Sequence, residues 1–99
     1  MPTEAEVHAA LREVLDPEIG VNVVDLGLIY GVRIQGDTVD VEMTLTTPGC
    51  PMRRTIGYLV GKAVERLPGV KDVHVRFVWE PRWTPDRLNA EAKRQLGLA

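Results

Sequence analysis

A chain of 99 residues is long enough for one domain with one core, since it buries roughly 60–65% of the surface that its unfolded form exposes. The formal net charge is −2 and both signs are interspersed, so there is no basic stripe for a phosphate backbone and nucleic acid is not expected as a partner. No apolar run approaches the ~18 residues of a membrane span, and the start of the chain lacks the basic-then-apolar order of a signal peptide. We therefore expect a cytoplasmic protein without a membrane partner.

Cys50 is the only cysteine, which excludes an intramolecular disulfide and, within one chain, a zinc finger or a complete cluster cage. A lone thiol also fits a reducing compartment. The chain contains no serine, so serine-nucleophile chemistry is excluded. Any covalent chemistry is therefore expected to centre on Cys50.

The first predicted element is a helix from Thr3 to Leu15. Thr3 and Glu6 have the spacing of a capping box, in which each side chain accepts a hydrogen bond from the backbone N–H of the other residue. An apolar stripe follows at helical spacing, formed by Val7, Leu11, Val14 and Leu15. Pro17 ends the helix because it disfavours the α conformation at Asp16.

Two strands joined by a short turn come next. Apolar and polar residues alternate from 28 to 34 and again from 39 to 46, on either side of a turn at residues 35–37 that contains a glycine. This pattern is typical of a hairpin with one buried face. The residues predicted on that face are Leu28, Tyr30, Val32, Ile34, Val39, Val41, Met43 and Leu45.

The remaining pattern predicts a helix, a strand and a second, shorter helix. The longer helix spans about Pro51 to Leu67, the strand lies within residues 70–79, and Thr84-Pro85-Asp86 opens a final helix that ends at Gly97. The order α-β-β-α-β-α predicts an α+β fold in a single domain, residues 1–99. We expect two layers, with a small mixed three-stranded sheet and helices packed mainly on one face.

The stretch from Thr46 to Arg54 joins the second strand to the longer helix. Pro51 at the first helical position puts Cys50 at the N-cap, where the helix dipole and unpaired N–H groups favour a thiolate. Arg53 and Arg54 add positive charge, so a reactive, metal-avid thiol is predicted. Cysteine is a poor N-cap, which favours this functional reading over a small buried apolar residue.

Three further segments contain candidate functional residues. The carboxylates of Asp16 and Glu18 flank Pro17 and could ligand a metal, accept a proton or dock a basic partner; the alternative is a helix end followed by a solvated loop charge. Asp25 beside Gly27 is most simply a turn before a strand. The aromatic pair in residues 79–83 is more typical of a packed lid than of a recognition surface.

Taken together, these segments resemble the SufT- and PaaD-like iron–sulfur assembly domain family. The resemblance is carried, in order, by Asp16-Pro17-Glu18, by Asp-Leu-Gly-Leu-Ile-Tyr at 25–30, and by Thr-Leu-Thr-Thr-Pro-Gly-Cys-Pro-Met at 44–52. The tail at 79–97 is similar to the SufT-type branch, and the match covers nearly the whole chain. The chain lacks the extra C-terminal cysteines of the PaaD branch and the Gly-x-x-x-x-Gly-Lys loop of members fused to a nucleotide-binding domain.

The resemblance implies a non-enzymatic helper in maturing or delivering iron–sulfur clusters, with carrier, scaffold or client proteins as partners. The family's reactive cysteine falls on Cys50, its acidic loop on Asp16 and Glu18, and its threonine beside the cysteine loop on Thr47. No tightly bound cofactor is expected. Because cluster irons need about four protein ligands, Cys50 could hold iron or a cluster only transiently, shared with a second copy in a homodimer or with a partner.

Two other functions stay open from the sequence. A one-cysteine thiol redox enzyme would use Cys50 and take its resolving thiol from outside the chain. A protein–protein adaptor would leave the cysteine inert. We expect Asp16 and Glu18 to be exposed loop carboxylates on the same side as Cys50 that matter for function and not for stability. Asp16→Asn and Glu18→Gln should each change stability by less than ~0.5 kcal/mol and lower cluster delivery or partner binding.

Overall fold

The computed structural model describes residues 2–17, 19–46 and 53–97. The strands form one sheet in the order β1-β2-β3, with β1 antiparallel to β2 and β2 parallel to β3. The α-β-β-α-β-α order confirms the predicted fold class. The elements are α1 (Glu4–Leu11), β1 (Ile29–Gln35), β2 (Thr38–Met43), α2 (Arg53–Glu65), β3 (Asp72–Phe77), a 3-10 turn (Pro85–Arg87) and α3 (Ala90–Gln95).

The N-terminus of α1 has the predicted capping box. The Glu6 N–H donates to Thr3 Oγ1 at 3.1 Å, and the Thr3 N–H donates to Glu6 Oε1 at 3.0 Å. The predicted helix end at Leu15 is wrong, because the backbone of residues 14–15 pairs with residues 22–23 instead of continuing the helix. Leu15 is consequently 52% exposed and does not join the predicted core stripe.

A β-bulge in β1 reverses the predicted alternation at Tyr30. Ile29 pairs with Met43, but the next paired residue is Gly31, opposite Glu42, so Tyr30 is the extra residue. An extra residue shifts the alternation of faces by one. Ile29 therefore packs against the core, and the predicted core position of Tyr30 is wrong.

The core lies between one face of the sheet and the helices α1 and α2. On the sheet side it is built on Val39, Val41 and Met43, which are fully buried, as their alternation predicts. The helices contribute the buried residues Val7, Leu11, Ile56, Val60 and Val64. The opposite face of the sheet is polar and lines a cavity of about 420 Å³ with residues that include Arg33, Asp40, Glu42, His74 and Arg76.

The C-terminal segment is broken where one helix was predicted. The 3-10 turn ends at Leu88, whose backbone is extended, and α3 begins afresh with Asn89 as its N-cap. The Asn89 Oδ1 atom accepts a 2.9 Å hydrogen bond from the Ala92 N–H, which fixes the new start. In the described parts of the chain, none of the helices has the length and apolar composition to cross a bilayer.

Candidate functional site

The segment that carries Cys50 connects β2 to α2. Cys50, Thr47 and the predicted N-cap geometry lie outside the described residues, so their roles stay predictions. The flanks of the segment are at one end of the sheet, where β1 begins and where β2 and β3 end. Backbone hydrogen bonds tie this end together, from the Thr44 N–H to the Leu28 carbonyl at 2.8 Å and from the Val78 N–H to the Met43 carbonyl at 2.8 Å.

A cation and two aromatic rings lie on the α2 side of this end. The Arg53 guanidinium carbon is 5.8 Å from the centroid of the Phe77 ring, and that ring stacks on Trp79 with centroids 6.3 Å apart. A Cβ at Gly57 would lie 3.3 Å from the Phe77 ring, so the first turns of α2 approach β3 closely. Arg53, directly after the cysteine segment, is thereby held over the sheet end.

Asp16 is buried and not an exposed loop carboxylate. Asp16 is 4% exposed, and its Oδ1 atom accepts a 3.3 Å hydrogen bond from the Ile19 N–H. Its carbonyl accepts from the Gly20 N–H at 2.7 Å, and its own N–H donates to the Val21 carbonyl at 2.9 Å. Asp16 thus closes the turn over residues 16–21, and the expectation that it is exposed is wrong. Glu18 lies outside the described residues.

The Asp16 turn and the strand leading to Thr47 belong to one run of backbone hydrogen bonds. The Val23 N–H donates to the Val14 carbonyl, the Leu28 N–H to the Val23 carbonyl, and the Thr44 N–H to the Leu28 carbonyl, at 3.0, 3.1 and 2.8 Å. Neighbouring segments in such a run are about 5 Å apart. Val14, two residues before Asp16, is therefore three such steps from Thr44, which directly follows β2.

Asp25 is the centre of a polar cluster, whereas the sequence pattern predicts only a turn there. Its carboxylate accepts from Asn22 Nδ2 at 2.8 Å and from Asn89 Nδ2 at 2.7 Å, and Arg12 Nε lies 3.7 Å away. Burial alone would raise the pKa of Asp25, but the hydrogen bonds from Asn22 and Asn89 and the Arg12 charge outweigh it and leave the pKa below its usual value. The carboxylate is therefore charged and fully engaged in holding loops together.

The rest of the 25–30 segment also holds the C-terminal segment. The Trp83 Nε1–H donates to the Leu26 carbonyl at 2.7 Å, and the Tyr30 hydroxyl donates to the Pro81 carbonyl at 2.8 Å. The Arg87 guanidinium carbon lies 4.6 Å from the Tyr30 ring centroid. At Gly27, where φ is +78°, a Cβ would overlap the Arg87 carbonyl. Residues 25–30 thus anchor the C-terminal residues 81–87, and their contacts are those of a packed structural element.

Among the described residues there is no group of three or more His, Cys, Asp or Glu side chains placed to hold a metal ion. Oxygen ligands from an acidic turn would in any case suit harder cations better than sulfide-bridged iron. The candidate site is accordingly defined by the cysteine segment and by Arg53 on its flank, and the Asp16 turn is connected to Thr44 through Val23 and Leu28.

The model of the family described as "Iron-sulfur cluster assembly protein" matches residues 4–77, and this chain belongs to that family. Within it, the SufT-type resemblance is confirmed. The chain is 45% identical over 93 residues to the Fe-S protein maturation auxiliary factor YitW of Bacillus subtilis, covering 93% of this chain and 91% of that protein. It is 41% identical to the maturation auxiliary factor SufT of Staphylococcus aureus, covering 87% of this chain and 99% of the relative.

Solved structures agree with the fold. A domain of unknown function from Bacillus anthracis superposes with a TM-score of 0.90 at 38% identity, covering 97% of this chain and 92% of that one. The chain also matches the iron-sulfur cluster carrier protein of Synechocystis at 39% identity over 98% of its own length but only 27% of that relative. The same domain therefore occurs both at the length of this chain and as part of a longer protein.

Proposed function

We propose that this protein is a non-enzymatic factor in the maturation of iron–sulfur proteins, acting in the cytoplasm. The observation that carries the proposal is the match to two maturation auxiliary factors over nine-tenths or more of their own length. The relatives named in these matches are maturation factors and carriers, which supports a role in handling clusters over a role in turning over a substrate.

The group proposed to act is the thiol of Cys50, in cluster transfer or in bringing a client to the cluster. Support comes from the start of α2, which follows the segment that carries Cys50. The first turn of this helix begins with Arg53 and Arg54 and contains no acidic residue. Positive charge at a helix N-terminus stabilises a thiolate, which is the form that binds iron. Thr47 and Glu18 are proposed as supporting residues. Asp16 is proposed to act structurally, because its hydrogen bonds close the turn that contains Glu18 in the sequence.

A cluster handled by this protein is proposed to be shared. One chain offers one thiolate, and cluster irons need about four ligands. The missing ligands would come from a second copy or from a carrier or client protein. In the carrier relative, the matched domain is about a quarter of a longer protein. Since that protein joins this kind of domain to a cluster carrier in one chain, we favour a carrier as the partner here.

The test is anaerobic reconstitution of the protein with iron and sulfide, read by visible absorbance and by sizing. The wild type should develop cluster absorbance and elute as a dimer or, with a carrier added, as a complex; chelation should reverse both changes. Cys50→Ala should abolish the absorbance while leaving the far-UV circular dichroism unchanged. Stoichiometric cluster on a monomer, or full absorbance in Cys50→Ala, would contradict the proposal.

The thiol itself is tested by its rate of alkylation with iodoacetamide against pH. An ordinary thiol has a pKa of about 8.5, so alkylation that persists below pH 7 indicates a stabilised thiolate. Arg53→Gln should shift the profile toward higher pH, while Arg33→Gln, on the open face of the sheet, should leave it unchanged. A wild-type profile equal to that of free cysteine would remove the electrostatic part of the proposal. Turnover of peroxide with an external thiol would favour the redox enzyme instead.

A further inference from the structure

The outer side of α2 carries a row of exposed residues that the core does not use. Arg54, Tyr58 and Lys62 are spaced four apart, which places them along one side of the helix. Tyr58 is 64% exposed, and the Lys62 Nζ atom lies 5.6 Å from its ring centroid. The Tyr58 ring and the Lys62 ammonium are therefore both open to solvent and to a partner.

A groove lined by both apolar and charged residues runs beside this row. Leu59 and Leu15 are 39% and 52% exposed, and the groove has a volume of about 270 Å³. Leu15 is turned outward because its backbone pairs with Asn22 and does not continue α1. The groove is also lined by Glu13, Val14, Lys62, Ala63 and Arg66.

The charge of this region is opposite to that of the chain. Residues 53–66 contain four basic side chains and one acidic one, in a chain whose net charge is −2. The acidic residue, Glu65, is 3.8 Å from Lys62, and both are about half exposed, so the pair neutralises little. Within the described ranges, Arg54 and Arg66 have no carboxylate partner. Their charge is available to a partner.

We propose that Leu15, Arg54, Tyr58, Leu59, Lys62 and Arg66, the α2 patch, form a docking surface for an acidic amphipathic helix of a partner protein. The distance from Arg54 to Arg66 along the helix is about 18 Å, or about three turns of a docked helix. Apolar residues of that helix would fill the groove, and its Asp and Glu side chains would meet Arg54, Lys62 and Arg66.

This partner chemistry fits the patch better than the alternatives. A phosphate backbone would meet the cations but leave Leu15 and Leu59 exposed to water. A neutral apolar helix would cover the leucines but desolvate Arg54 and Arg66 without compensation. The inference rests on the proposed function, since Arg54 is four positions from Cys50 and a partner on α2 would be brought beside the cysteine segment.

The inference is tested by fluorescence anisotropy with labelled synthetic peptides of about five helical turns. The probe has leucines on one face and glutamates on its flanks, and its matched control has lysine in place of every glutamate. The acidic peptide should bind, with an affinity that falls as salt rises, and the basic peptide should bind at least about tenfold more weakly. Absence of binding by the acidic peptide, equal binding of the two, or tighter binding of a single-stranded oligonucleotide would overturn the inference.

Variants then locate the binding. The double variant Lys62→Glu, Arg66→Glu should weaken binding of the acidic peptide by about tenfold or more, and Leu15→Ser should weaken it at every salt concentration. The control Arg33→Glu, Arg82→Glu makes the same charge change at exposed positions outside the α2 patch and should bind within about twofold of wild type. Equal binding by the two double variants would overturn the inference.

The two proposals fail in different ways. Cluster reconstitution depends on Cys50 and should be unchanged in Lys62→Glu, Arg66→Glu. Its loss in Cys50→Ala alone therefore supports the proposed function, whether or not the peptide binds. Unchanged peptide binding in the patch variant, with reconstitution still dependent on Cys50, would remove only the docking surface. Cluster absorbance in Cys50→Ala would remove the proposed function and leave the peptide result intact.

Discussion

The side-chain amide of Asn89 donates a 2.7 Å hydrogen bond to Oδ1 of Asp25, across 64 positions of the chain. The Asn89 N–H also donates to the Asp25 carbonyl at 3.0 Å, and Asn89 Oδ1 caps α3. One residue therefore starts the last helix and fastens it to the loop before β1. The stability of the C-terminal segment should consequently depend on Asp25.

Replacing Asp25 by Asn should destabilise the fold by about 1–3 kcal/mol, because a buried acceptor of several hydrogen bonds would then place an amide donor against the donors of Asn22 or Asn89. Urea unfolding followed by tryptophan fluorescence measures the change. The control is Asp86→Asn, an exposed carboxylate in the 3-10 turn, which should change the free energy of unfolding by less than about 0.5 kcal/mol. Equal effects of the two substitutions would contradict the assignment.

The lowered pKa of Asp25 predicts how stability depends on pH. Since the pKa is lower in the folded state than the ordinary value of 3.8, the carboxylate stabilises the fold above that value and loses this contribution as pH falls through its folded pKa. The difference in unfolding free energy between wild type and Asp25→Asn should be constant from pH 5 to 7 and shrink below about pH 4. A difference that grows on acidification would show that the sign is wrong.

Gly27 and Gly20 make a matched pair, because both have positive φ, +78° and +80°, but only Gly27 faces another segment. Gly20→Ala should cost about 1–2 kcal/mol, the penalty for an L-residue in this conformation. Gly27→Ala should cost more and displace the tail, since the new Cβ would overlap the Arg87 carbonyl. Urea unfolding gives the two costs, and tryptophan emission in a Trp79→Phe background reports the C-terminal segment through Trp83. Equal losses of unfolding free energy would mean that the C-terminal segment moves away from the new Cβ without a further loss of stability.

Asp16→Ala should destabilise the fold by about 1 kcal/mol, since it removes one of the two Asp16 oxygens that accept from the Ile19 N–H at a buried position. Asp16→Asn keeps an acceptor oxygen and should cost less. Asp86→Ala serves as the exposed control in the same urea assay. A loss of cluster delivery in an Asp16 variant is therefore informative only when the Asn variant, with its smaller cost, shows it as well.

Local sequence signals predicted the ends and periods of most elements, and tertiary pairing decided the rest. The capping box of Thr3 and Glu6 is a contact within one helical turn, so its residues alone define it. The bulge is different, because Leu28, Ile29 and Tyr30 are all large and apolar, and the pattern fits either face until β2 sets the register. Asn89 is a good N-cap residue and could have predicted the start of α3. The prediction began the helix at Pro85 instead, because proline is common at the first helical position.

The same distinction applies to the site. Cys50 was predicted from the chemistry of a helix N-terminus and, with Thr47 and Glu18, remains a prediction. The burial of Asp16 could not be predicted, because Asp-Pro ends a helix equally well in solvent or against the core. Asp16 is buried because residues 14–15 pair with residues 22–23, and no local sequence pattern predicts that pairing.

The parallel pairing of β2 with β3 has a consequence for when the site can exist. Each pair in that ladder, such as Thr38 with Asp72, joins residues 34 positions apart, whereas the β1–β2 hairpin closes at Gln35 and Thr38. Closing the longer loop costs more entropy, so we expect the hairpin to form first and β3 to dock later. Arg53 gains its place over Phe77 only at that later step. On the ribosome, Cys50 therefore emerges before α2 and β3, and the nascent chain carries this thiol before Arg53 has reached its place over Phe77.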